Sequence, residues 1–172
     1  MEIREAVAAD LPLLPPIEVA SGEAFREIGM PWIADDEPMP LAVLERSRVW
    51  VALDPHPVAW VAVEVVDGNA HVEQISVHPD HARKRIGAAL LDRVRRWAAD
   101  EGLAAVTLTT FRDVPWNAPY YRRLGFEEIT EPTPGLRAVV TAEAARGLDP
   151  ATRVCLRRPV APPTATEAEP AM

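Results

Sequence analysis

At 172 residues and 48% apolar composition, the chain is long enough to bury a sizeable core and too apolar to be globally disordered. Its formal net charge of −8 argues against a nucleic-acid partner, since phosphate binding needs concentrated Lys and Arg, and is mildly in keeping with a cationic substrate such as an amine. No apolar run approaches the roughly 18 residues of a membrane span, and the charged start MEIREAVAADLP lacks a signal peptide's apolar stretch, so no membrane partner and a cytoplasmic location are expected.

Along the chain, Ile3 to Val7 alternates as a short strand. Asp10 is placed to cap a helix with Pro12 in its first turn; the regular helix then runs from Pro15 to about Ile28 and stops at Gly29. The acidic, proline-broken Pro31 to Pro40 is expected to be a loop, followed by a short helix from Leu41 to Arg46. Three strands follow, Arg48 to Leu53, Val58 to Val66 and His71 to Val77, and Asp67-Gly68-Asn69 marks a hairpin between the last two. Ile86, Leu90, Val94, Trp97 and Ala98 then form an apolar helical stripe that Gly102 ends. Ala104 to Phe111 is a strand, and Asp113 is placed to cap a helix running to about Leu124, stopped by Gly125. Phe126 to Ile129, a helical turn at Ala142 to Arg146, and a last strand from Arg153 to Arg157 complete the series. Cys155, the lone cysteine, excludes an intrachain disulfide and a cysteine metal cluster, and no metal site is expected. The layout is α+β, with one mixed, mostly antiparallel sheet flanked by helices in a single domain over 1–159. The Pro/Ala/Thr/Glu-rich 160–172 is expected to be a disordered tail.

The chemistry concentrates in Val77 to Leu91, VHPDHARKRIGAALL. A strand ends, His78-Pro79 breaks it, and a helix opens near Ile86, so unpaired backbone N–H groups and Arg83, Lys84 and Arg85 surround one point. Such a nest suits an anion, best of all a pyrophosphate, and small residues at Gly87 and Ala88 let it approach the backbone. A solvated basic connection is the other reading. The pattern is neither a P-loop nor a Gly-x-Gly-x-x-Gly dinucleotide fingerprint.

The stretch resembles the acetyl-CoA signature of the GNAT superfamily of acyl-CoA N-acyltransferases, with Val77, Pro79, Gly87 and Leu90 in register. Tyr121-Arg122-Arg123-Leu124-Gly125-Phe126 resembles a second motif of these enzymes, Tyr-x-x-x-Gly-Phe. The resemblance implies a GNAT-like twisted sheet, acetyl-CoA as cosubstrate, and direct attack by an amine on a small molecule or peptide; a homodimer is compatible with it. Ile75, Ser76 and Val77 would then face the donor's pantetheine arm, and Ala82, Arg83, Lys84, Arg85, Ile86, Gly87 and Ala88 its phosphates. Tyr121 matches the tyrosine that protonates the departing thiolate, and Asn117, one helical turn before it, an asparagine that touches the donor. Glu73 and, two residues earlier on the same strand face, His71 are the candidate bases.

Three positions depart from the pattern. Ala82 stands where Arg or Gln is usual, and Arg83 and Arg85 where glycines are usual. A left-handed backbone at a non-glycine residue costs roughly 1–2 kcal/mol, so the expectation is a slightly shifted loop that uses Arg83 or Arg85 as an extra phosphate ligand. Trp32, Trp50, Trp60 and Trp116 are each expected in the core, with Trp60 or Trp116 as the alternative lining of an acceptor pocket. Two other functions fit the motifs: a CoA-binding sensor without catalysis, and a protein N-terminal or lysine acetyltransferase.

Overall fold

The computed structural model describes residues 1–161. The expected tail 160–172 therefore lies outside the described residues except for its first two. The strands are β1 (Glu2–Glu5), β2 (Arg48–Leu53), β3 (Pro57–Val66), β4 (Asn69–Val77), β5 (Ala105–Phe111), β6 (Glu127–Glu128) and β7 (Arg153–Pro159), in the sheet order β1-β2-β3-β4-β5-β7-β6. The β4–β5 pair is parallel and holds two registered pairs, Ala70↔Val106 and His71↔Thr107. The pairs β1–β2, β2–β3, β5–β7 and β6–β7 are antiparallel. The helices are α1 (Leu14–Gly22), α2 (Ala24–Glu27), α3 (Pro31–Ala34), α4 (Leu41–Arg46), α5 (Ile86–Asp100), α6 (Ala118–Arg123) and α7 (Pro134–Ala145). This is the expected α+β arrangement of a mixed, mostly antiparallel sheet flanked by helices.

The chain forms two compact units. The first comprises Met1–Glu64 and Val72–Arg93. Its core follows from strand periodicity: Val49 and Val51 lie two apart on β2, and Trp60 and Ala62 two apart on β3, so each pair shares one sheet face. Leu14 and Ile17 of α1 and Leu44 of α4 are buried against them. Each such side chain is worth about 1.5–3 kcal/mol in area removed from water. Trp60 also satisfies its ring nitrogen, donating to the Leu14 carbonyl at 3.0 Å.

The second unit comprises Val65–His71 and, among the described residues, 94–161. β5 and β7 pair over their whole lengths, from Ala105↔Pro159 to Phe111↔Arg153. Asp67 (φ 51°) and Gly68 (φ 77°) carry the two left-handed residues a tight hairpin turn requires. Asp67 Oδ2 accepts the Gly135 N–H at 2.7 Å, and a Cβ on Gly135 would meet that oxygen at 2.7 Å. Only glycine fits this approach of α7.

Several expectations are corrected. Asp10 does not cap with its side chain: Oδ2 accepts the Val7 N–H at 2.8 Å and Arg4 Nη1 at 2.7 Å, and a 3-10 turn, Leu11–Leu13, follows. The long first helix is interrupted after Gly22, the weakest helix former beyond its first-turn prolines. Pro31, in the first turn of α3, makes a short helix out of the expected loop. α6 begins after Asn117 rather than Asp113, because the Asn117 N–H closes a turn onto the Val114 carbonyl at 2.9 Å. α7 is a full helix where one turn was expected, with Thr133 as its cap and Pro134 in its first turn. Trp32 and Trp116 are not core residues: they are 61% and 37% exposed, whereas Trp50 and Trp60 are fully buried.

Candidate active site

In the first unit, β4 ends at Val77 and the chain enters a 3-10 turn, Pro79–His81, capped by His78 Nδ1 accepting the Asp80 N–H at 3.1 Å. Ala82 is extended, Arg83 is left-handed (φ 65°), and Arg85 is left-handed again (φ 60°) immediately before α5. The loop therefore has not shifted to avoid the strain. Both arginines adopt the conformation a glycine would take, at about 1–2 kcal/mol each. Alternating left-handed residues turn successive N–H groups toward one concavity, and the first N–H groups of α5 have no partner within the helix. Arg83, Lys84 and Arg85 are exposed around it, and none is paired with a carboxylate among the described residues. Ile86 is buried and anchors the helix start, while Gly87 and Ala88 are half-buried on its first turn. These groups fit a polyphosphate in charge and in backbone donors.

Of the residues preceding the loop, Ser76 is buried and accepts Gln74 Nε2 at 3.0 Å, whereas Ile75 and Val77 are half-buried. The registered pairing of β4 with β5 ends at His71.

Glu73 is half-buried on β4. Ser47 Oγ lies 3.4 Å from its Oε1. Burial first, then the charge and hydrogen bond of Glu64, raise its carboxyl from 4.5 to about 7, with Ser47 and Arg46 acting in the opposite direction. The folded chain holds this proton more tightly than the unfolded chain does. The group's contribution to stability is therefore complete below about 4.5 and lost as pH rises through about 7. Glu64, Ser47 and Arg46 were not marked by any sequence motif.

In the second unit, His71 is 2% exposed and its Nδ1 lies 3.0 Å from Thr107 Oγ1, the side chain opposite it in the parallel pair. Tyr121, on α6, is buried and packs edge-on against Tyr120 and Phe126, with ring centroids 5.4 Å and 5.9 Å apart. Burial, with Tyr120 as a smaller cause, pushes its phenol above its ordinary value, so it keeps its proton. Asn117 stands at the start of the same helix, and its carbonyl accepts the Tyr121 N–H at 3.0 Å. The Asn117 side-chain oxygen is buried without a hydrogen-bond partner among the described residues, an acceptor left for a donor from elsewhere. Cys155 is buried on β7, and burial pushes its thiol up, away from the thiolate form a nucleophile needs.

The sheet order, and a helix opening from a cationic loop after the fourth strand, are the layout expected of the GNAT-like fold. The model of the acetyltransferase (GNAT) family matches residues 15–126, and the chain belongs to that family. Among solved structures, it is similar to the ribosomal-protein-S18-alanine N-acetyltransferase of Escherichia coli (21% identity, 96% of each chain, TM-score 0.63). It is also similar to the PaiA N-acetyltransferase of Thermoplasma acidophilum in complex with coenzyme A (15% identity, 92% of this chain and 98% of that one, TM-score 0.66). Rv2747 of Mycobacterium tuberculosis, in complex with CoA and NLQ, is a third (21% identity, 92% and 99%, TM-score 0.64). No helix of the described residues is long and apolar enough to cross a membrane.

Proposed function

We propose that the chain transfers an acetyl group from acetyl-CoA to a primary amine by direct attack, with a small molecule preferred over a protein as acceptor. The observation that carries this reading is the loop before α5, which keeps together two strained left-handed arginines and three cations that pair with no carboxylate among the described residues. Strain of that kind persists where the surroundings over-determine it, and it clusters at functional sites. The donor's phosphates would be held by the backbone of residues 82–88 with Arg83, Lys84 and Arg85, and its arm by the backbone of Ile75, Ser76 and Val77. Asn117 offers its unpartnered oxygen to the same cosubstrate.

When bound, acetyl-CoA supplies the activated acyl carbon and the leaving thiol. The protein's part is to move protons and hold geometry. Glu73 takes a proton from the incoming ammonium, since its carboxyl ionises near neutrality. We favour it over His71, whose ring is sealed from solvent and bound to Thr107. Tyr121 remains protonated and is the donor to the thiolate. The buried thiol of Cys155 agrees with a route that has no acyl-enzyme.

The test is thiol release from acetyl-CoA across a panel of amines and short peptides. Amine-dependent release is expected, faster with free amines than with peptides. Tight CoA binding without release for any acceptor would instead support a sensor. Absence of CoA binding would overturn the loop assignment itself.

A further inference from the structure

A cavity beside the start of α7 lies wholly within the second unit, and none of its lining residues is used in the chemistry proposed above. Strand periodicity builds its floor. Asn69 and His71 lie two apart on β4, and His71, Thr107 and Arg157 are successive register partners across β4, β5 and β7. All four side chains therefore stand on one face of the sheet. Thr107 lines the cavity at 3% exposure, with its hydroxyl oxygen 3.0 Å from His71 Nδ1 behind it. Val66, Ile129 and Leu136 supply the apolar wall. The Gly135 N–H donating to Asp67 holds the start of α7 over it. At about 230 Å³ the cavity falls below the roughly 300–1,000 Å³ of a drug-sized ligand's pocket, so a fitting occupant is small.

Two exposed charges complete the lining: Arg157 of β7, and Glu131 of the segment between β6 and α7. Among the described residues neither side chain forms a hydrogen bond or an ion pair, and they do not close on each other. Glu127, registered opposite Arg157, makes no ion pair with it either. Asn69, also in the lining, keeps a buried Oδ1 without a partner, an acceptor the fold itself does not satisfy. A lone anion in this cavity would meet the Glu131 carboxylate, and a lone cation the Arg157 guanidinium, each a like-charge contact. A small molecule carrying both charges at one end avoids both.

We propose that this cavity binds a free α-amino acid with a short, uncharged side chain. Its carboxylate accepts from the Arg157 guanidinium. Its ammonium, with three N–H donors, serves Glu131 and Asn69. Its side chain lies against Val66, Ile129 and Leu136, with Thr107 as the polar group of the floor. Binding of this kind needs no acetyl-CoA and is independent of the transfer reaction.

The experiment is calorimetry on the full chain without CoA. L-alanine, L-valine and L-threonine are titrated in, each alongside its amide, which lacks the carboxylate charge, and its deaminated acid, which lacks the ammonium. At least one of the three is expected to bind with a Kd of about 1 mM or tighter, and both of its derivatives about ten- to a hundredfold more weakly. R157Q and E131Q should each weaken the amino acid by a similar factor, with a crossed pattern. R157Q then binds the amide as well as the parent, and E131Q binds the deaminated acid as well as the parent. Silence of all three amino acids overturns the proposal, as does a derivative that binds the unsubstituted chain as tightly as its parent. Equal weakening of every ligand in either variant, the mark of a merely structural effect, overturns it too.

Discussion

Two turns of this chain carry paired left-handed residues, one joining β3 to β4 and the other joining β4 to α5. The hairpin uses Asp67 and Gly68, which tolerate the conformation at little cost. The loop uses Arg83 and Arg85, which do not. The first turn serves the fold and is built from residues that make it cheap. On the function proposed above, the second spends stability to place cations on a backbone nest, as a binding element does and a folding element does not.

The contrast is broken most strongly by reversing the loop's charge. R83E/R85E should weaken CoA binding by about two to four orders of magnitude by calorimetry, because two charge-assisted contacts of about 1.5–3 kcal/mol each are lost. Affinity retained within threefold would mean the backbone nest alone holds the phosphates. At the hairpin the opposite profile is expected. A Cβ at Gly68 meets nothing within 4 Å, so G68V should cost only the backbone term, about 1–2 kcal/mol in chemical denaturation, and leave CoA affinity within twofold. A loss of affinity as large as that of the loop variant would erase the distinction between the two turns. The smallest effect is expected from R85G. Relief of strain is partly offset by the freer unfolded chain, so stability should rise by at most about 1 kcal/mol while CoA affinity falls several-fold. A less stable R85G protein would show that the arginine is not strained where it stands.

The same two turns show what could be read beforehand. Asp67-Gly68 announces its conformation because the residue types themselves select it. Arg83 and Arg85 announce the opposite, and local propensity predicted a shifted loop. The structure keeps the glycine geometry, so tertiary context has overridden propensity there. α7 was partly legible, since Thr133-Pro134 is a cap followed by a first-turn proline, but its length exceeded the turn the sequence suggested. Trp32 and Trp116 were expected inside because tryptophan is large and apolar, yet composition does not reveal which face of a short helix or turn meets the core.

What the sequence determined by itself is what depends on near neighbours in the chain. The strand alternation, the apolar stripe of α5, the hairpin turn, and the Val77-to-Leu91 and Tyr121-to-Phe126 motifs are patterns within about fifteen residues, and they were enough to indicate the α+β layout and the GNAT resemblance. What only the tertiary structure decided is which distant groups meet and which lose water. Ser47 and Arg46 act on Glu73 from the end of α4 and Glu64 from β3, Thr107 reaches His71 across a parallel strand pair, and burial leaves Tyr121 a phenol and Cys155 a thiol. Ionisation depends on the dielectric and charges within a few ångströms, and that neighbourhood is assembled from residues far apart in the chain.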